Sequence, residues 1–283
     1  VILVTGATGT VGRELVGLLL ASGEKFRVLV RDPSKVEHLK GRAEIAQGDL
    51  EKADTLTAAM EGVDHVFLLT VDQVTDTDTH VIESAKAAGV RHVVKLSTSF
   101  VVNEPQTAIG RWHAEKEKLL MGSGLAWTIL RPGGFMSNSL QWVGSIKAQG
   151  AVYIATGETK SSPIDPFDIA AVAKAALILP GHEGKAYELS GDDSLSGREQ
   201  VEVLAAAIGK PIKVIPVSVA AAVEGMRANR HMPPALVDAM GEMLEAIHAG
   251  KLARRATDAV LKVTGKKPLS FAAWCQAHKN AFL

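Results

Sequence analysis

The chain has 283 residues, enough to bury a large core either as one large domain or as a domain with a smaller second lobe. Its 47% hydrophobic and 22% charged residues are those of an ordinary globular protein, and thirty-one basic residues balance thirty-one acidic ones. No net field draws such a chain to nucleic acid or to an anionic membrane, which leaves a small molecule as the expected partner.

Up to Leu130 the chain alternates short apolar runs with amphipathic stretches of helical length. Runs at Val1–Thr5, Phe26–Val30, Ala43–Ala46, His65–Leu69, His92–Leu96 and Ala126–Leu130 read as strands. Such alternation builds βαβ units, hence a parallel sheet with helices on both faces. Gly23, Gly62, Gly89 and Gly124 each close a helical pattern ahead of a strand. Arg131-Pro132-Gly133-Gly134 then breaks the rhythm, and a loop-rich segment runs to about Pro163 with one short strand at Val152–Ala155. Ile164–Leu179 reads as a strand-to-helix passage opened by Asp165-Pro166 and capped by Asp168. Ala186–Leu189 reads as a strand, Arg198–Ile208 as a helix, Ile212–Val217 as a strand, and the remainder as mostly helical.

Cys275 is the sole cysteine, so no intrachain disulfide can form, and beside Ala273 and Trp274 it reads as a packed thiol in a reducing compartment. The basic stretch Lys251 to Lys267, with Arg254, Arg255, Lys262 and Lys266, reads as the solvated face of a helix and its loop rather than as an anion patch. The chain opens on a strand with no basic leader before it, and no long apolar run occurs. A cytoplasmic protein is the expectation.

The densest motif is Thr5-Gly6-Ala7-Thr8-Gly9-Thr10-Val11-Gly12, between the first strand and an amphipathic helix over Val11–Ala21. Gly6 allows a tight turn, Gly9 lets backbone approach a pyrophosphate, and Gly12 lets helix pack on strand. The helix start offers unpaired N–H groups and a partial positive charge to phosphates. This context marks a dinucleotide site on an α/β fold of Rossmann type, a doubly wound parallel sheet. The expected division puts that domain at 1–134 with 164–190, and a smaller, mostly helical C-terminal substrate lobe at 135–163 with 191–283.

Arg31, with Lys35 one turn on, stands at the end of the second strand, where a carboxylate would pair with the ribose of NAD and an arginine accommodates the extra phosphate of NADP. NADPH is therefore the expected cofactor, with Asp32 as the competing group for the ribose. Asp49 and Leu50 follow the third strand, where adenine lies; the other role open to Asp49 is capping a helix at Lys52–Met60. Leu69-Thr70-Val71 ends the fourth strand and borders the middle of the cofactor.

With Val30-Arg31-Asp32-Pro33, Gly48-Asp49-Leu50, Ala88 to Val94, Trp127 to Phe135, Ile164 to Ala170 and Ser270 to Trp274, the glycine motif resembles the short-chain dehydrogenase/reductase superfamily, in its atypical NmrA-like branch. The resemblance spans nearly the whole chain. It implies NADPH-dependent reduction of quinones, azo dyes or triphenylmethane dyes; other members of the branch are redox-sensing regulators that bind dinucleotide without chemistry. The superfamily's tyrosine acid, with a lysine four residues later and a glutamate four beyond, aligns here on Ile109, His113 and Glu117; a register shifted by three puts Trp112 and Lys116 in the dyad. Neither register supplies a phenol, so alcohol–ketone chemistry is not expected, whereas hydride transfer to an electron-poor acceptor asks mainly for positioning.

By the same resemblance His113 holds the nicotinamide ribose or donates a proton, the alternative being a helix-surface histidine. Ser97 ends the fifth strand near the cofactor, and Ser99 falls in the register of the catalytic serine, the alternative being a hydroxyl cap. Pro132 and Phe135 are placed to wall the nicotinamide. Phe100, Phe135, Met136, Trp142 and Tyr153 are candidates for an aromatic acceptor cleft, or else belong to the core. The partners expected are a small aromatic acceptor, with no nucleic acid, no membrane and no metal, and a monomer or a homodimer.

Overall fold

A computed structural model describes residues 1–70, 76–228, 232–251 and 256–283. In chain order the elements are β1 (Ile2–Val4), α1 (Thr10–Ser22), β2 (Phe26–Val30), β3 (Glu44–Gln47), α2 (Leu56–Met60), β4 (His65–Leu68), α3 (Asp76–Ala87), β5 (His92–Leu96), α4 (Phe100–Asn103), α5 (Ala108–Met121) and β6 (Ala126–Pro132). There follow α6 (Val143–Gln149), β7 (Ala151–Ile154), α7 (Pro166–Ile178), β8 (Lys185–Leu189), α8 (Gly197–Ile208), β9 (Lys213–Pro216), α9 (Val219–Arg227), α10 (Pro234–His248), α11 (Ala259–Thr264) and α12 (Phe271–His278). Seven strands form one sheet in the order β3-β2-β1-β4-β5-β6-β8, every pair parallel. The order reverses between β1 and β4, so a crevice opens beyond their C-terminal ends.

Because strand side chains alternate between faces, Ile2 and Val4 enter the core that Leu15 and Leu19 of α1 share with Ile169 and Val172 of α7. Leu3 enters the opposite core with Met60 of α2, Val81 of α3 and Leu120 of α5. Burying each such side chain stabilises the fold by about 1.5–3 kcal/mol before chain entropy is counted. Gly23 ends α1 in the left-handed conformation, and Gly62, Gly89 and Gly124 share that backbone sign, as their positions ahead of strands led one to expect.

The chain beyond β6 builds a separate core. β7 pairs in parallel with β9, and Met136, Ile146, Val152, Leu204, Phe271 and Trp274 pack together beneath them. Both strands fall close to the runs read as strands at Val152–Ala155 and Ile212–Val217; what the structure adds is that these short strands from distant segments close on one another. Val260 of α11 returns to the first core instead, against α7 and β8.

Three local expectations change. Asp165, not Asp168, caps α7 by accepting from the Phe167 N–H at 3.0 Å, while the Asp168 carboxylate accepts from Leu269 N at 2.8 Å. Ile164 makes only an isolated bridge to Phe135 rather than a strand. The helix expected at Lys52–Met60 is a 3-10 turn at Ala53–Thr55 followed by the short α2. Cys275 is buried as expected, and burial pushes its thiol up to about 12. Arg254 and Arg255 lie outside the described residues, and Lys262 pairs with Asp258 at 2.8 Å on the exposed side of α11.

Candidate active site

At the switch point the Thr5 hydroxyl ties the two central strands, donating to Phe67 O at 3.0 Å and accepting from Leu69 N at 2.8 Å. Gly6 then turns with φ +64°, and Gly9 N donates to Gly6 O at 2.9 Å. A Cβ on Gly12 would stand 2.1 Å from Gly6 O, so only glycine lets α1 start so close to the turn. Gly9 occupies the N-cap of α1 with no side-chain cap, and the first turn carries no acidic residue. The N–H groups at Thr10, Val11 and Gly12 thus open the helix without a capping side chain, as a phosphate site requires. The Val11 side chain is in the core, so its contribution to a ligand is through backbone alone.

A cleft of about 280 Å³ adjoins this turn and gathers Gly6, Thr8, Arg31, Lys35, Asp49, Leu50, Leu69 and Thr70, all expected there from sequence. Ala7, Leu29, Asp32, Glu51 and Thr77 are among the others that line it, and Val71 lies outside the described residues. Arg31 is exposed at the rim, its carbonyl accepting from the Gln47 amide at 3.2 Å. Asp32, the competitor for the ribose, is engaged: it accepts from Ser34 Oγ at 2.7 Å and Ser34 N at 3.0 Å, bonds that hold its carboxyl below the usual range. Asp49 lines the cleft and accepts from Glu51 N at 3.2 Å in a local turn; it caps neither the 3-10 turn at Ala53–Thr55 nor α2, so the capping role foreseen for it does not hold.

Beneath Thr70 lies a polar cluster. Asp78 accepts from the Thr70 hydroxyl at 2.8 Å and pairs with the ammonium groups of Lys95 and, at 3.3 Å, Lys116, all three charged groups fully buried. Burial alone would raise the Asp78 carboxyl, yet the lysines and the hydroxyl outweigh it and hold it below its ordinary value; burial lowers Lys95. Next to it Glu117 is clamped by Arg131, at 2.6 and 3.0 Å, and by the Ser97 hydroxyl at 2.5 Å. Ser97 therefore directs its hydroxyl into this network rather than toward a ligand. A lysine inside the apolar run of β5 was the sequence signal for a buried carboxylate, and its partner on α3 carried none.

A second cleft, of about 690 Å³, lies between the turn after β6 and the helices α9 and α10. Phe100, Trp142 and Tyr153 line it, as do Gly133 and Gly134. Met136, expected there, is instead fully buried in the second core, because the 3-10 turn that begins with it points it inward. Phe135 packs half-buried against the first core and Pro132 is buried at the end of β6, its carbonyl accepting from Ser99 N at 3.0 Å. Ser99 is buried, its hydroxyl without a hydrogen bond among the described residues. Half-buried on α5, His113 lines neither cleft, and the same holds for Ser99. Ser162, Asn138, Gln141, Met226 and Met243 line the second cleft without any sequence signal, since they reach it from segments far apart.

Residues 6–180 match the family model described as NAD(P)H-binding. The chain belongs to this NAD(P)H-binding family. It is 41% identical to the NAD(P)H azoreductase of Xenophilus azovorans, over 99% of both chains. It is 39% identical to the (4-alkanoyl-5-oxo-2,5-dihydrofuran-3-yl)methyl phosphate reductase of Streptomyces griseus, again over 99% of both. The structure of an NADPH-dependent quinone oxidoreductase from Escherichia coli, complexed with NADPH, superposes with a TM-score of 0.87 at 27% identity, covering 98% of this chain and 99% of that one. The doubly wound fold and the NAD(P)H-dependent oxidoreductase character read from the sequence are those of this NAD(P)H-binding family. Among the described residues no helix is long and apolar enough to cross a membrane, and no group of three or more metal-ligating side chains occurs.

Proposed function

We propose that this NAD(P)H-binding protein is a cytoplasmic NADPH-dependent reductase that delivers hydride to a planar, electron-poor acceptor of the quinone, azo or triphenylmethane dye type. The observation that carries it is the pairing of an uncapped helix start and an arginine-rimmed cleft with a separate aromatic cleft across the turn after β6. The residues fit NADPH: backbone at Gly9 to Gly12 for the pyrophosphate, Arg31 and Lys35 for the extra phosphate, and Asp49 with Leu50 for adenine. Bound there, NADPH supplies a hydride. The protein's own part is to orient an acceptor beside Gly133 and Gly134 and to exclude water with Phe100 and Trp142.

The azo bond, the oxo-dihydrofuran ring and the quinone in the names of the relatives are all electron-poor π systems, which spread incoming charge. Such acceptors need little acid catalysis, in keeping with His113 and Ser99 lining neither cleft; solvent supplies the proton. The division of labour assigns the dinucleotide to 1–134 with 164–190 and the acceptor mainly to 135–163 with 191–283, with Phe100, Gly133 and Gly134 of the first part reaching the acceptor cleft. The rival function is a sensor that binds NADP(H) without chemistry and offers its clefts to a protein partner; a concave, aromatic-walled cleft of about 690 Å³ favours a small acceptor instead. Oxidation of NADPH, followed by its absorbance against a panel of quinones and azo and triphenylmethane dyes without added flavin, is the test. Turnover of some members is expected; tight NADPH binding with no oxidation by any acceptor would favour the sensor.

A further inference from the structure

One wall of the second cleft is built unlike the rest of the molecule. Gly225 and Met226 of α9 and Met243, Leu244 and Ile247 of α10 line it, yet among the described residues no side chain of either helix belongs to any of the three hydrophobic cores. The two helices are joined closely to each other: a Cβ on Gly241 of α10 would stand 3.1 Å from the Val223 side chain of α9. A helix pair that packs on itself and shares little core with its domain opens at a lower free energy than the domain unfolds.

Two polar bonds fasten α10 to the body. The Glu242 carboxylate accepts from Ala108 N at 2.7 Å, and Ala155 O accepts from His248 Nδ1 at 3.0 Å. The first falls at the positive N-terminal end of α5, whose cap Thr107 accepts from Gly110 N and whose first turn has no acidic residue. Glu242 thus supplies from another helix the carboxylate that α5 lacks. The segment it grips carries part of the cleft as well. Phe100 of α4 lines the cleft, the Asn103 amide donates to Ser99 O at 2.9 Å, and a Cβ on Gly110 would collide with Glu104 O, so α4 and the start of α5 are folded tightly together. The Glu242 bond therefore ties Phe100 on that side to Met243 and Leu244, its own neighbours in the chain.

We infer that α9 and α10 form a cap on the second cleft and that Glu242 is the latch holding this cap closed on α5, which makes it a positioning residue for acceptor reduction. The positioning role rests on the reductase function proposed above. Glu242 does not line the cleft, so it acts through Met243 and Leu244 rather than by touching the acceptor. An acceptor that binds only under the closed cap has its apparent affinity reduced by the fraction of molecules whose cap is open. Once bound, it holds the cap shut, and turnover at saturation depends little on the latch. Loss of the latch is therefore read in KM and not in kcat, whereas general destabilisation removes active protein and lowers kcat.

The test compares the full chain with Glu242→Ala and Glu242→Gln, by amide hydrogen exchange and by reduction of 2-methyl-1,4-naphthoquinone with NADPH. Glu242 is solvent-exposed, so its bond contributes at the low end for a charged acceptor. In Glu242→Ala the amides of α9 and α10 should exchange about 3–10-fold faster, with those of β1 and α1 unchanged. KM for the quinone should rise at least about threefold, with kcat and the Kd of NADPH within about twofold. Glutamine keeps an acceptor oxygen without the charge, so Glu242→Gln should fall between. Unchanged exchange in Glu242→Ala would overturn the latch, and faster exchange with an unchanged KM would overturn the positioning role. Faster exchange throughout the chain, with kcat and melting temperature both lowered, would show general destabilisation and overturn both. If the protein binds NADPH but reduces neither the quinone nor any dye, the reductase function falls and the positioning role with it, while exchange in α9 and α10 still decides the latch.

Discussion

Arg31→Ala should convert an NADPH-selective site into one that barely discriminates. Arg31 stands exposed at the end of β2, on the rim of the cleft that also holds Lys35, and no ion pair engages its guanidinium among the described residues. Charge-assisted hydrogen bonds to a phosphate contribute about 1.5–3 kcal/mol, and solvent screening at an exposed rim favours the lower figure. The expected preference of the wild type for NADPH over NADH is thus about tenfold or somewhat more, most of it lost in Arg31→Ala and the rest in the double variant with Lys35→Ala. Calorimetric Kd values for both cofactors at low and high salt measure it, and the preference should shrink as salt rises.

Asp32 supplies the internal control. Of the two bonds from Ser34 to its carboxylate, Ser34→Ala removes the hydroxyl's and keeps the backbone N–H's, so it should loosen Asp32 toward the ribose and raise NADH affinity modestly without touching Arg31. Equal wild-type affinities for the two cofactors, or a preference that survives in the double variant, would refute the assignment of the extra phosphate to this rim.

Further perturbations separate binding from folding. Gly9→Val should abolish binding of either cofactor in a folded protein, since its Cβ meets only Gly6 O at 3.2 Å, whereas Gly12→Ala, with its Cβ 2.1 Å from that oxygen, should lower the melting temperature as well; circular dichroism and calorimetry distinguish them. Asp78→Asn strips the buried Lys95 of its carboxylate and should cost about 3–5 kcal/mol, roughly 10 °C in a thermal melt, with partial recovery on adding Lys95→Met. His92 is buried against Thr128, and burial, with His65 nearby, lowers its pKa to about 4. The unfolded chain then binds the extra proton, so stability should fall as pH drops from about 6.5 toward 4, by up to about 3 kcal/mol. His92→Gln should flatten that slope in melts across the range, and an unchanged slope would show that His92 is not its source.

The parallel sheet was legible because its central strands, covered on both faces, appear as unbroken apolar runs, and because glycines with positive φ close the helices before them. The phosphate turn was legible for a steric reason: Gly6 and Gly12 are fixed by a backbone sign and by a 2.1 Å approach that no other residue tolerates. Pairing of β7 with β9 was not, since two short runs some sixty residues apart carry no local sign of their partner. Met136 and Trp142 were grouped together in one expected cleft, but the 3-10 turn between them lacks a simple period and sends one inward and the other to the lining. The pairing of Lys95 with Asp78 escaped for a related reason, a lone charge in an apolar strand announcing a partner without saying where it lies.

Those buried charges bear on the chemistry through α5, the helix on which the superfamily's acid dyad would stand. Among its inward polar side chains are Lys116, held in the Asp78 cluster, and Glu117, clamped by Arg131 and Ser97. Both are committed to joining α5 to β5, β6 and α3, so neither is available as a proton donor, and the phenol's position is taken by Ile109 or Trp112 in the two registers. Glu242 of α10 accepts from Ala108 N at 2.7 Å and so fastens the start of the same helix to the wall of the second cleft. The helix that elsewhere carries acid–base chemistry therefore acts here as a brace between the dinucleotide cleft and the acceptor cleft. On the reductase function proposed above, rate comes from holding hydride donor and acceptor in contact, which favours acceptors able to carry negative charge until solvent protonates them.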